Sequence, residues 1–421
     1  MATDHVLAEM SHADMATLTR EYLMAGHMID RAGMPHLIGP WGRDVMTEVA
    51  IDEWMGASPV YTRRMQQALG FTGTDVATMF KGMQLDVGAP PEFLDFRYTV
   101  HDADHGEFRL DHCGALMDVE PMGDDFVLAM CHTIEDPTFE ATACASNPKA
   151  RMTPVHRPPR SPANRHPHCH WTITIDHDAE PLAMPPTAHH IVTSLAASVV
   201  VEAVGTDAGD HWGRSDYAGD LDPDLRMEDF SSPTLSVIAQ EACVQAHLLV
   251  LSFQAAIAAR YGVDAATDIC RRQFTGVAGL AAGRLVRAFD LPAGPDGLAR
   301  LLRLHPAFRP LSYVDWSVTV TDGTVRASVG SCAALVETAG DTWLGLLVAG
   351  HTEPLAAIAR QLDDRYDVHV VDPVGDEVAA WEFSTGDVHH PQFDDVTLAR
   401  FSTGDAFEFT RTGRRNDQGT Q

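Results

Sequence analysis

Basic residues are scarce in this 421-residue chain: 30 Lys and Arg stand against 59 Asp and Glu, a formal net charge of −29. So acidic a balance repels phosphate backbones and anionic lipid surfaces, which argues against nucleic-acid and membrane partners. The longest apolar-leaning stretch, Ile191 to Val204, is interrupted by Thr193, Ser194, Ser198 and Glu202 and is too short to span a bilayer. Met1 to Ala32 mixes acids and histidines into an amphipathic pattern rather than a basic start and an apolar stretch, so no export signal is expected. Seven cysteines, an odd set without an expected export signal, read as reduced thiols and not as a disulfide framework. A glycine-rich phosphate loop, a GxSxG elbow and a Rossmann fingerprint are all lacking, so no nucleotide cofactor is indicated. What these absences leave is a cytoplasmic protein, and its 45% hydrophobic and 21% charged residues have the balance of a globular chain.

An internal repeat is present. Leu18 to Ile29 (LTREYLMAGHMI) aligns with Ile238 to Leu249 (IAQEACVQAHLL), so Glu21 and His27 fall on Glu241 and His247 at an offset of 220. Both stretches read as amphipathic helices. Phe96 to Leu116 aligns with Val314 to Leu335, placing Cys113 on Cys332, and Asp125 to Pro137 aligns with Thr342 to Pro354, placing His132 on His351 and Pro137 near Pro354. His166 to Ile175 matches Gly375 to Thr385, with Trp171 on Trp381. The period of the apolar residues changes within each copy from 3.6 to 2, which predicts a helical part, a β-hairpin, one or two helices and two more strands. The expected fold is α+β: two pseudo-repeated units, each a helical part followed by a small, mostly antiparallel sheet with helices. The units are placed at 1–178 and 234–410, with a linker at 179–233 and a disordered tail at 411–421.

The first copy carries the only cysteine and histidine constellation with the look of a working site. Cys113, Cys131, His132 and Cys169 answer to Cys332, Gly350, His351 and Ala379, so the second copy has lost two thiols. Residues two apart in a strand share a face, which puts Cys169 on the expected inward face with Trp171, Ile173 and Ile175, and His168 and His170 opposite them. The same rule puts Cys113 with Arg109 and Asp111. The economical grouping is Cys113, Cys131, His132 and Cys169, either as ligands of zinc or iron or as a thiol nucleophile activated by an imidazole. Asp136 and Glu120 are candidates for orienting the histidine or moving a proton, which makes Cys131, His132 and Asp136 the candidate catalytic residues. The competing interpretation is that these cysteines are small core hydrophobes, since no CxxC or HExxH spacing is present. The run HRPPRSPANRHPHCH reads as a Pro-rich loop entering a strand, with a histidine-rich metal tract as its alternative. His27 reads as a packing residue or as a group reaching the site from a neighbouring helix.

The order helix, strand, Cys113, helix with Cys131, Asp136, then a strand with Cys169 followed by Trp171 resembles the L-2-amino-thiazoline-4-carboxylate hydrolases over about residues 15–176. That resemblance implies hydrolytic opening of a small C–N/C–S ring and an α+β fold with its cysteines gathered at one pocket. The tandem duplication and the segments DHCGAL and MCHTIEDPTFEATA depart from the usual pattern of that family. The leading expectation is a small-molecule hydrolase acting on a C–N/C–S, cyclic amide or amidine bond from the first unit, with the second unit closing its pocket. Two alternatives stand beside it: a non-haem metal oxidoreductase or lyase, and a non-enzymatic small-ligand or metal-binding protein. A homodimer is compatible with each.

Overall fold

The computed structural model describes residues 4–205 and 212–410; the tail expected to be disordered lies outside them. The first sheet comprises β1 (Leu94–Val100), β2 (His105–Cys113), β3 (Ala150–His156) and β4 (Cys169–Ile175), and the second β5 (Trp316–Thr321), β6 (Thr324–Gly330), β7 (Tyr366–Val371) and β8 (Glu377–Thr385). Both are antiparallel and share one strand order, β1-β2-β4-β3 and β5-β6-β8-β7. The fold is therefore α+β with two pseudo-repeated units. Leu110 pairs with Cys169 and Phe108 with Trp171, just as Val329 pairs with Ala379 and Ala327 with Trp381, so the aligned residues hold equivalent register positions.

Strand β4 alternates as its sequence predicts: Cys169, Trp171, Ile173 and Ile175 are buried and the residues between them half-exposed. Cys113 breaks the expectation. Leu94 pairs with Cys113 and Phe96 with Leu110, so β2 carries one extra residue across that step. This bulge turns Cys113 from the face of exposed Arg109 to the buried face of Leu110.

The helices interlock the two units. The first unit contributes His12–Leu23, Ala25–Gly33 and the long Pro35–Leu69, which is kinked at Gly42, where φ is +85°. The second contributes Ser232–Tyr261 and Val263–Phe289. Each unit's leading helix packs on the other unit's following helix: Ser232–Tyr261 on Pro35–Leu69, and Ala25–Gly33 on Val263–Phe289. Glycine permits both crossings. A Cβ on Gly56 would lie 2.2 Å from Ser252 Oγ, and one on Gly276 would lie 3.0 Å from the Cβ of Ala32. Gly56 and Gly276, like Ala32 and Ser252, are related by the same offset of 220.

Reciprocal charges hold the crossing. Arg64 Nε and Nη2 donate to Glu241 at 3.0 and 2.7 Å, and Arg284 Nε and Nη2 donate to Glu21 at 2.7 and 3.0 Å. Arg64 also donates to the carbonyls of Ala197 and Val199, and Arg284 to those of Gly404 and Phe407. The segment expected to be a loose linker is thus partly ordered. Its helix Pro186–Ile191 and the turn at Ala196–Ser198 stand where Asp394–Ala399 and Thr403–Ala406 stand in the second copy, so the first unit continues to about residue 200.

Ser232–Tyr261, expected to be amphipathic over 238–249, is instead buried on nearly every face. It is long and apolar enough to cross a membrane by length and composition, but most of that apolar surface is covered by protein. Its polar side chains find partners inside the fold. Gln245 accepts from Val87 N at 3.0 Å and donates to the Leu85 carbonyl at 3.1 Å, and His247 Nε2 donates to the Arg309 carbonyl at 2.8 Å.

Breaking a buried ion pair from one side leaves an uncompensated charge. Arg284→Met, which strands Glu21 and two carbonyls, is expected to cost about 3–5 kcal/mol in denaturant unfolding. A loss below about 1 kcal/mol, the range of surface pairs, would contradict this account of the crossing.

Candidate functional site

A cavity of about 210 Å³ lies in the first unit, walled by the β1–β2 hairpin, the helices Ala25–Gly33 and Pro35–Leu69, and the helical run from Asp124 to Cys144. Most of its wall is apolar, with Met34, Ile38, Phe96, Leu110, Phe126 and Phe139 among the lining residues. The polar lining includes His27, Asp30, Arg31, Asp86, Cys113 and Glu135. In the helical run, Ala129–Ile134 forms a π-helical turn between the α-helices Asp124–Leu128 and Glu135–Cys144. Single π turns inside α-helices recur at functional sites, and this one supplies Ala129, Met130 and Ile134 to the cavity wall immediately before Glu135.

The carboxyl groups here are poorly compensated. Burial pushes Glu135 up to about 8, against the partial relief of Arg157, and its Oε2 has no hydrogen-bond partner. Burial also raises Asp30 to about 6; Trp54 Nε1 donates to Asp30 Oδ2 at 3.1 Å, while Oδ1 is without a partner. Asp86, raised by burial to about 6, accepts from Tyr61 Oη at 2.8 Å and Gly88 N at 2.7 Å. Fully buried Glu53 has both oxygens unpartnered, and burial followed by the charge of Asp30 pushes its carboxyl well above the usual range.

His27 lines the cavity, and its Nε2 lies 3.1 Å from Asp118 and 2.9 Å from Ser402 Oγ. Burial lowers His27 to about 4, so the neutral ring donates its proton. Burial opposes the ionisation of Asp118, but the hydrogen bond from His27 and the charge of Arg31 hold that carboxyl well below its usual range. Asp118 also accepts from Thr403 N and Oγ1, each at 2.6 Å. Its counterpart Glu337 accepts from Leu195 N and Ala196 N at 3.2 and 3.0 Å. Each acid thereby pins the other unit's closing segment, and this pairing belongs to the fold.

Of the expected site residues, Cys113 alone lines the cavity. Cys131 and Cys169 are buried nearby, and burial raises all three thiols, Cys113 to about 12, so they rest protonated. Cys113 Sγ accepts from Leu116 N at 3.3 Å, and its own N–H donates to His168 Nδ1 at 3.2 Å. His132 turns elsewhere: its Nε2 is 2.6 Å from the Pro158 carbonyl. Asp136 is paired with Arg157 at the surface, and Glu120 with Arg160 at 2.6 Å. Among the described residues, no three His, Cys, Asp or Glu side chains are grouped as a metal ion requires. His132 Nε2 is held by the Pro158 carbonyl, and among the described residues Cys113, Cys131, His132 and Cys169 are not brought together as a ligand set.

The second unit has no equivalent polar set. At the offset of 220, Asp30 becomes Val250, Glu53 becomes Gln273 and Trp54 becomes Phe274. Phe274 stacks on Trp343 at 5.5 Å, and Trp343 lies 5.1 Å from the His247 ring. A wider groove of about 1010 Å³ elsewhere opens between charges that satisfy one another, such as Arg20 with Glu228 at 2.5 Å and Arg97 with Asp95 at 2.9 Å. Comparison with family models, curated proteins and solved structures gives no match to this chain.

The acids Asp30, Glu53, Asp86 and Glu135 were not among the expected site residues. For Asp30 and Glu53 the signal lay in the repeat, where Val250 and Gln273 stand at the equivalent positions. Because Glu135 binds its proton more tightly folded than unfolded, it lowers stability as pH rises from the ordinary carboxylate range through about 8. Glu135→Gln is therefore expected to raise the melting temperature at pH 9 and leave it nearly unchanged at pH 4. An equal shift at both values would show that burial does not govern this carboxyl.

Proposed function

We propose that the first unit is a small-molecule hydrolase whose active site is the 210 Å³ cavity. The supporting observation is a pair of carboxyls lining one cavity that burial sets apart, Asp86 at about 6 and Glu135 at about 8. Between those values one is ionised and the other protonated, the arrangement that divides base and acid roles between two carboxyls. Asp86 takes a proton from water as it adds to the substrate carbon, and Glu135 gives one to the departing nitrogen or sulfur of a C–N or C–S bond. The resemblance to the L-2-amino-thiazoline-4-carboxylate hydrolases implies the same class of bond.

Cys113 touches the cavity as a protonated thiol and serves as wall rather than nucleophile. Cys131, His132 and Asp136 lie outside the cavity lining and take no part in the proposed step. The second unit braces the first through the helix crossing.

Screening small cyclic amidines, thiazolines and lactams is expected to find turnover with a bell-shaped pH profile whose limbs fall near 6 and 8. Glu135→Gln should lower kcat by about 10²–10⁴-fold with little change in KM. Binding without turnover across such a panel would favour the non-enzymatic ligand-binding alternative; turnover that survives Glu135→Gln intact would remove the proposed acid.

A further inference from the structure

Buried carboxyls without partners destabilise a fold, so their presence asks for a compensating role. Asp30 Oδ1 is closed off from solvent and has no hydrogen-bond partner, although Asp30 lines the cavity and its other oxygen is fixed by Trp54. Glu53, with two unpartnered oxygens, is pushed above the usual carboxylate range by burial and then by the charge of Asp30. The repeat supplies the control. The second unit builds the same helices and the same sheet order with Val250 and Gln273 at these positions, so the fold does not need acids there.

Among the described residues, the one guanidinium lining the cavity is Arg31, whose charge eases the ionisation of Asp30 without giving its Oδ1 a hydrogen bond. Arg31 Nε lies 3.1 Å from Asp118, which is already held by His27, Ser402 and Thr403. A carboxylate oxygen without a partner, on a cavity wall that is mostly apolar, suits an organic cation, whose nitrogen donates to that oxygen beside the Trp54 indole. A cavity that exceeds the roughly 150 Å³ known to hold benzene admits a ligand of about ten non-hydrogen atoms.

Resting on the reading of this cavity as the active site, we propose that its ligand carries a protonated amine, bound at Asp30 Oδ1 beside Trp54, and no carboxylate at that end. The ammonium N–H donates to Asp30 while the apolar body fills the space between Met34, Phe96 and Leu110. Asp30 is a specificity-determining residue in this arrangement, separate from the proton transfers of Asp86 and Glu135.

Calorimetric titration of the full chain at pH 7.5 with benzylamine, benzyl alcohol and benzoate tests the proposal with probes of one shape. Benzylamine is expected to bind at least tenfold more tightly than benzyl alcohol, with benzoate weakest. Asp30→Asn, which keeps an oxygen for Trp54, should erase the preference while leaving the affinity for benzyl alcohol. If benzyl alcohol or benzoate binds as tightly as benzylamine, or if Asp30→Asn keeps the preference, the cation assignment falls and the cavity reading stands. If none of the three binds, the cavity reading fails and takes this assignment with it.

Discussion

The close crossing of each unit's leading helix over the other unit's following helix is the constraint from which the architecture descends. Gly56 and Gly276 allow the backbones together, and the reciprocal Arg64–Glu241 and Arg284–Glu21 pairs bind across the contact. Because both arginines also take carbonyls from the segments after each sheet, the crossing fixes where those segments close over the opposite unit. Asp118 and Glu337 repeat that logic at the sheet ends. Neither unit completes its own surroundings, so this duplication is one interlocked body and not two tethered domains.

Symmetry in the scaffold makes the asymmetry of the interiors informative. One copy fills the space around its leading-helix histidine with Phe274 and Trp343, in the manner of an ordinary core. The other leaves a chamber and lines it with acids that burial keeps from ionising readily. A fold that can pack this region shut and does so once has kept the other open at a cost in stability, as expected where binding and not packing sets the residues.

Much of this was legible in the chain itself. The repeat, the two-sheet α+β plan and the inward face of β4 follow from anchor pairs and from alternation in CHWTITI. Cys113 was misplaced because a bulge changes strand register without a marker in composition. Ser232–Tyr261 looked amphipathic because Gln240, Glu241, Gln245 and His247 interrupt its apolar residues, and only tertiary partners show those groups to be internal. The thiols stand out in sequence as the rarer chemistry, whereas Asp30 and Glu135 sit in helical stretches where an acid is ordinarily solvated. Burial at those positions is a property of the assembled helices, and no local pattern encodes it.

One unit keeps an open chamber where its twin packs Phe274 against Trp343. Crystals of the protein pressurised with xenon test it directly, since apolar cavities of this size take up the gas. The account predicts xenon density between Met34, Phe96 and Leu110 and none around Phe274 and Trp343. Xenon in both units, or in the second alone, would contradict it.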